Sequence, residues 1–168
     1  MAPEWIADAL AARGISLRDV AGIVLQLQKP YNDRLTIEDC LDSVHAVLEK
    51  REVQYVMITG IALDDLAEKK LLPEPLQSLM ENDESLYGVD ETLALGITNV
   101  YGMIGLTSFG YLDKVKPGII GELNVRTNGI HVFLDDLVAG LAAAASARIA
   151  HQDPKARDYG PEGRAAGT

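Results

Sequence analysis

Apolar residues recur along this chain at steps of three and four, the period of a helix that buries one face. Glu4 to Ala12 reads as a short helix stopped at Gly14. Ser16, with Asp19 three residues on, opens a second helix whose apolar positions include Val20, Ile23, Val24 and Leu27, and Pro30 closes it. Thr36 caps a third, which turns Ile37, Cys40, Leu41, Val44 and Leu48 to one side. A fourth covers roughly 52–70. A short fifth has Pro73 in its first turn and ends before Asn82.

Gly88 leads into a helix expected from Val89 to Ile104. A short helix is expected over 116–124, and a long one from Val132 to Ala150. Asn128-Gly129 falls in a loop between them, and no segment alternates apolar and polar residues long enough to be a strand. The expected fold is all-α, a compact single-domain bundle over residues 1–151 around two central Gly/Ala-rich helices. The stretch 152–168, with Pro154, Gly160, Pro161, Gly163 and Gly167, reads as a polar coil tail.

From Thr92 to Leu112 no residue is charged, a length of 21 that matches a membrane helix. Gly96, Gly102, Gly105 and Gly110, with Thr92, Thr98, Asn99, Thr107 and Ser108, dilute its apolar content. A buried helix followed by a turn is expected there, not a membrane span. The N-terminus lacks the basic and apolar pattern of a signal peptide, so a cytoplasmic protein is expected.

Charge sharpens this picture. The 168 residues carry 15 Lys plus Arg against 25 Asp plus Glu, a formal net charge of −10. That balance opposes nucleic acid as a partner and opposes simple attraction to an anionic membrane. The whole excess lies in residues 1–91, with 18 acids and 8 bases; residues 92–151 hold four of each. One cysteine, Cys40, excludes an internal disulfide, and its place in an apolar stripe marks it as a small core residue.

In the second half of the chain three acidic sites stand out: Asp90-Glu91, Asp113 and Asp135-Asp136. The two pairs open apolar helices. From Asp136 the helical steps reach Gly140, Ala144 and Ala147; from Glu91 they reach Leu95, Thr98, Gly102 and Gly105. Small residues on both faces allow close packing. If these seams meet with the helices parallel, Glu91 and Asp136 lie together and repel unless a cation separates them. Oxygen donors of this kind suit Mg²⁺, Mn²⁺ or Ca²⁺. Capping and the helix dipole are the other reading of such pairs. The dipeptides Asp64-Asp65 and Glu38-Asp39 read as plain surface.

Lys114 and Lys116 lie between the acidic pairs, ahead of Pro117-Gly118. A lysine beside a carboxylate–metal cluster serves a phosphoryl substrate, and the same residues also suit a surface loop. His45 falls on the polar side of the third helix, His151 at a helix C-terminus, and His131 before the last helix, where capping or loop duty is expected. No Ser-His-Asp, Cys-His or phosphate-cradling pattern occurs.

Three ordered motifs carry a resemblance: Tyr87-Gly88-Val89-Asp90-Glu91; Leu112-Asp113 followed by Lys116-Pro117; and Phe133-Leu134-Asp135-Asp136-Leu137-Val138-Ala139-Gly140. Over roughly 85–150 the chain resembles phosphatidylglycerophosphatase A. Leu27-Gln28-Lys29-Pro30-Tyr31 and the helical pattern are similar to its soluble, YutG-like branch in Gram-positive bacteria.

The resemblance implies a magnesium-dependent phosphatase that removes the terminal phosphate of phosphatidylglycerophosphate, or acts on a soluble phosphate ester. Asp90, Glu91, Asp135 and Asp136 are implied as metal ligands, Asp113 and Glu91 as acid–base or nucleophilic groups, and Lys116 as the phosphate contact. The attacking group is either water at the cation or a carboxylate such as Asp113. The implied partners are a phosphorylated small molecule or a lipid headgroup, the latter reached peripherally. The membrane-bound members' N-terminal Pro-Gly-Thr segment has no counterpart here. That absence motivates an alternative, a non-catalytic metal-binding module that forms homo-oligomers through its small-residue seams.

Overall fold

The computed structural model describes residues 2–125 and 127–152, and the expected tail beyond 152 lies outside them. Among the described residues there are nine α-helices and no strand. They are α1 (Glu4–Ala12), α2 (Leu17–Gln28), α3 (Ile37–Leu48), α4 (Arg51–Glu68), α5 (Leu76–Glu81), α6 (Val89–Thr98), α7 (Gly102–Val115), α8 (Ile119–Val125) and α9 (Leu134–Gln152). The helix of the last element therefore reaches Gln152, where coil was expected to begin. The fifth helix starts after Pro75, so Pro73 precedes it and does not sit in its first turn.

The caps form as their residues dictate. Ser16 Oγ accepts from the Asp19 amide at 3.1 Å while the Asp19 carboxylate accepts from the Ser16 amide at 2.8 Å. Thr36 and Asp39 make the same reciprocal pair at 3.2 and 2.9 Å. The Thr36 hydroxyl and amide hold the Asp39 carboxyl below its usual range. Cys40 is wholly buried and burial pushes its thiol up to about 11, which keeps it an unreactive part of the core.

α9 is the axis. Every residue from Leu134 to Ala147 is buried, against α2, α3, α4, α6, α7 and α8. Its alanines and Gly140 present little bulk in any direction, so helices approach on all sides; a helix apolar all round belongs in a core. The seam Gly140–Ala144–Ala147 is thus consumed inside one chain, and offers no surface to a second copy.

The uncharged stretch departs from expectation. α6 stops at Thr98, a 3₁₀ turn spans Asn99–Tyr101, and Gly102 takes φ 73° and ψ −156°, open to glycine but costly for other residues. The chain then folds back as α7, with Gly105 packed so close that a Cβ there would stand 3.0 Å from the Thr98 carbonyl oxygen. Segment Val89–Val115 as a whole is long and apolar enough to cross a membrane, but as a hairpin of 10 and 14 residues neither arm reaches the roughly 20 a bilayer needs. Burial is one-sided: Ala94, Ile97, Gly105, Phe109 and Leu112 face inward, while Met103, Tyr111 and Val115 are exposed.

Candidate metal centre

Three helix ends converge. α6 and α9 run parallel and start together, so the first-turn pairs Asp90-Glu91 and Asp135-Asp136 share one end of the bundle. α7 is antiparallel to them and brings Asp113 and Lys116 to the same end. One carboxylate oxygen from each of Asp90, Glu91 and Asp136 lies within 4.8 Å of the other two. The seam that achieves this uses Ala94 of α6 against Gly140, one residue away from the expected Leu95.

Asp135 does not join these three. Its Oδ2 accepts from Lys116 Nζ at 3.0 Å, and the same ammonium donates to Asp113 Oδ1 at 3.2 Å. Lys116 reaches both because it closes α7 in the left-handed conformation, φ 46° and ψ 58°. Burial works against the ammonium, but Asp135 and Asp113 outweigh it and the Lys116 pKa is raised. The site is therefore a carboxylate trio beside a carboxylate–lysine–carboxylate bridge.

Crowding sets the charge state of the trio. Burial, then repulsion from Asp135 and Asp90, pushes the Asp136 carboxyl up to about 9. Burial and the adjoining Glu91 carboxyl push Asp90 up to about 7, while its pairing with Asp90 holds Glu91 down. Asp90 Oδ1 and Glu91 Oε2 are buried side-chain oxygens with no hydrogen-bond partner. Buried oxygens are rarely left so, and with Asp136 beside them these groups could hold a metal ion.

The sequence pattern of the phosphatidylglycerophosphatase A family matches residues 9–151. The chain belongs to the phosphatidylglycerophosphatase A family. The likeness extends far beyond the motif-bearing stretch 85–150. YpjQ of Bacillus subtilis (strain 168), an uncharacterized protein, is 57% identical over 151 residues, 90% of this chain and 85% of YpjQ. YutG of the same organism, also uncharacterized, is 55% identical over 141 residues, 83% of this chain and 85% of YutG. The crystal structure of YpjQ superposes with a TM-score of 0.86 at 55% identity, covering 92% of this chain and 94% of that one. The phosphatidylglycerophosphatase A fold is thus realised here as a helical bundle with its acidic motifs at one end.

One acidic residue was misjudged from sequence. Asp64 is not surface: it is wholly buried, and its two oxygens accept from the Phe133 amide at 3.1 Å and the Leu134 amide at 3.0 Å. Burial, partly offset by those amides, pushes its carboxyl up to about 7. A signal was present, since Val53, Met57, Gly60, Ile61, Asp64 and Ala67 form the buried stripe of α4. Asp65 does face outward and pairs with Arg13. His131 serves the loop as expected, with Nε2 3.2 Å from the Asn128 carbonyl and Nδ1 3.5 Å from Arg13.

Proposed function

We propose that this chain is a divalent-cation-dependent phosphatase that hydrolyses a phosphate monoester, phosphatidylglycerophosphate or a water-soluble analogue. The observation that carries the reading is the pair of orphaned buried oxygens on Asp90 and Glu91, closed by Asp136 and flanked by Lys116. Family membership supports it.

In this reading Asp90, Glu91 and Asp136 hold the cation, and Asp135 supports them through its bond to Lys116. When bound, Mg²⁺ supplies positive charge that polarises a phosphoryl oxygen. Lys116 holds a second phosphoryl oxygen as charge accumulates in the transition state. Asp113 is partly exposed at the mouth of the site, and serves either as the attacking carboxylate or as the base that takes a proton from attacking water. Glu91 assists proton movement from within the cluster. The net charge of −10 opposes attraction to an anionic lipid surface, so lipid headgroups would be met only peripherally, from the cytoplasm.

The test is phosphate release from soluble phosphate monoesters and from phosphatidylglycerophosphate in detergent micelles, with magnesium or EDTA. Hydrolysis that needs magnesium is expected. Absence of release from every ester, in a sample that calorimetry shows to bind magnesium, would leave a metal-binding module and remove the catalytic reading.

A further inference from the structure

α9 lacks a capping residue of its own. Val132 and Phe133 precede Leu134, and neither carries a side-chain acceptor. The acceptor comes from 69 residues away: Asp64 of α4 takes the Phe133 and Leu134 amides with separate oxygens. An Asn in this place would turn its NH2 group toward one of these two donors; a carboxylate presents an acceptor oxygen to each. The next two residues are Asp135 and Asp136.

The rest of α4 grips the same segment. Glu68 accepts from the Ile130 amide at 2.8 Å, and Arg13, paired with Asp65 and Glu68, donates to the Ile130 carbonyl at 3.1 Å. Gly60 leaves room for Phe133 and Leu137, since a Cβ there would stand 3.1 Å from Phe133 Cβ and 2.6 Å from Leu137 Cδ1. The incoming loop and first turn of α9 are thus held at Ile130, Phe133 and Leu134 by one helix.

We infer that Asp64 is a positioning residue for the metal centre. It docks the first turn of α9 on α4, in the rotation that turns Asp136 toward Asp90 and Glu91 and turns Asp135 toward Lys116. A rotation of this turn by one residue, about 100°, would exchange those two carboxylates. The inference rests on the metal-centre reading for its consequence, but not for its geometry.

The test uses the full chain. Amide hydrogen exchange is measured on the metal-free wild type, Asp64→Asn and Thr36→Ala, the last of which weakens the α3 cap far from the site. Manganese alone is then titrated below each variant's melting temperature. Asp64→Asn should speed exchange at Leu134 to Leu137, leave α2 and α3 unchanged, and weaken manganese binding about tenfold, as for other groups that orient ligands. Thr36→Ala should lower stability yet keep manganese affinity within about twofold, since its lost cap is remote.

Wild-type exchange at α9 in Asp64→Asn overturns the inference, as does equal weakening of manganese binding by Thr36→Ala. Should Asp64→Asn not fold, Glu68→Ala on the partly exposed edge of the clamp decides it: faster exchange at Ile130 to Leu134 supports the inference and unchanged exchange there removes it. If the wild type binds no manganese, the metal reading fails while the exchange data still decide the role of Asp64.

Discussion

Gly140 of α9 lies against Ala94 of α6 so closely that a Cβ on Gly140 would stand 3.1 Å from the Ala94 carbonyl oxygen. Each lies four residues beyond a carboxylate of the trio, Gly140 after Asp136 and Ala94 after Asp90, so this contact one turn inside the bundle sets how near the carboxylates stand.

Gly140→Val should therefore damage stability and metal binding together. Overpacking of this kind costs about 1–3 kcal/mol. Denaturant unfolding and manganese titration report the two effects. An unchanged manganese affinity in a destabilised Gly140→Val would show that the seam does not govern the cluster.

Asp136→Asn should abolish magnesium-dependent hydrolysis while leaving far-ultraviolet helicity intact. In EDTA at pH 8 it should melt higher than wild type, because one of several crowded buried carboxyls is gone. A lower melting temperature under those conditions would mean that the carboxylate is stabilising without a cation.

The metal-free chain should lose stability as pH rises. Folding lifts Asp64 and Asp90 to about 7 and Asp136 to about 9, each chiefly through burial. Unfolded carboxyls titrate near 4, so between about pH 4 and 9 the folded chain holds protons that the unfolded chain has released, and stability falls across that window. Glu91 is lowered, so its contribution is lost only below the window, as pH falls. Magnesium displaces the retained protons and should stabilise most at high pH. Urea unfolding from pH 5 to 9, with EDTA or with magnesium, checks both slopes.

Lys116 invites a paired comparison. Removing it strands buried Asp135, which for a broken buried pair costs about 3–5 kcal/mol. Lys116→Ala keeps the left-handed backbone under strain, whereas Lys116→Gly relaxes it by about 1 kcal/mol. Both should lose the same activity, with Lys116→Gly the more stable. Activity that tracks stability instead would make the lysine a structural group only.

The helical period, the caps at Ser16 and Thr36 and the approach of Glu91 to Asp136 were legible before any coordinates, because each follows from spacing along one helix and from small residues that permit contact; Asp39, read as plain surface, completes the Thr36 box. α7 was not. Between Thr92 and Leu112 no charge marks an inside and an outside, so nothing in polarity signals the reversal at Gly102. Asp64 was missed because a dipeptide looks the same whether its first member faces the core or the water; only its place on the α4 stripe separated it from Asp65.

Local order along the chain settled which segments coil into helices, where they start, and that two of them begin with paired acids on slim faces. Which acid meets a cation, which meets Lys116, and which caps a helix 69 residues away were settled only by packing. Propensity and capping act within a few residues of one another. The field at a carboxylate depends instead on what distant segments press against it and how completely they exclude water.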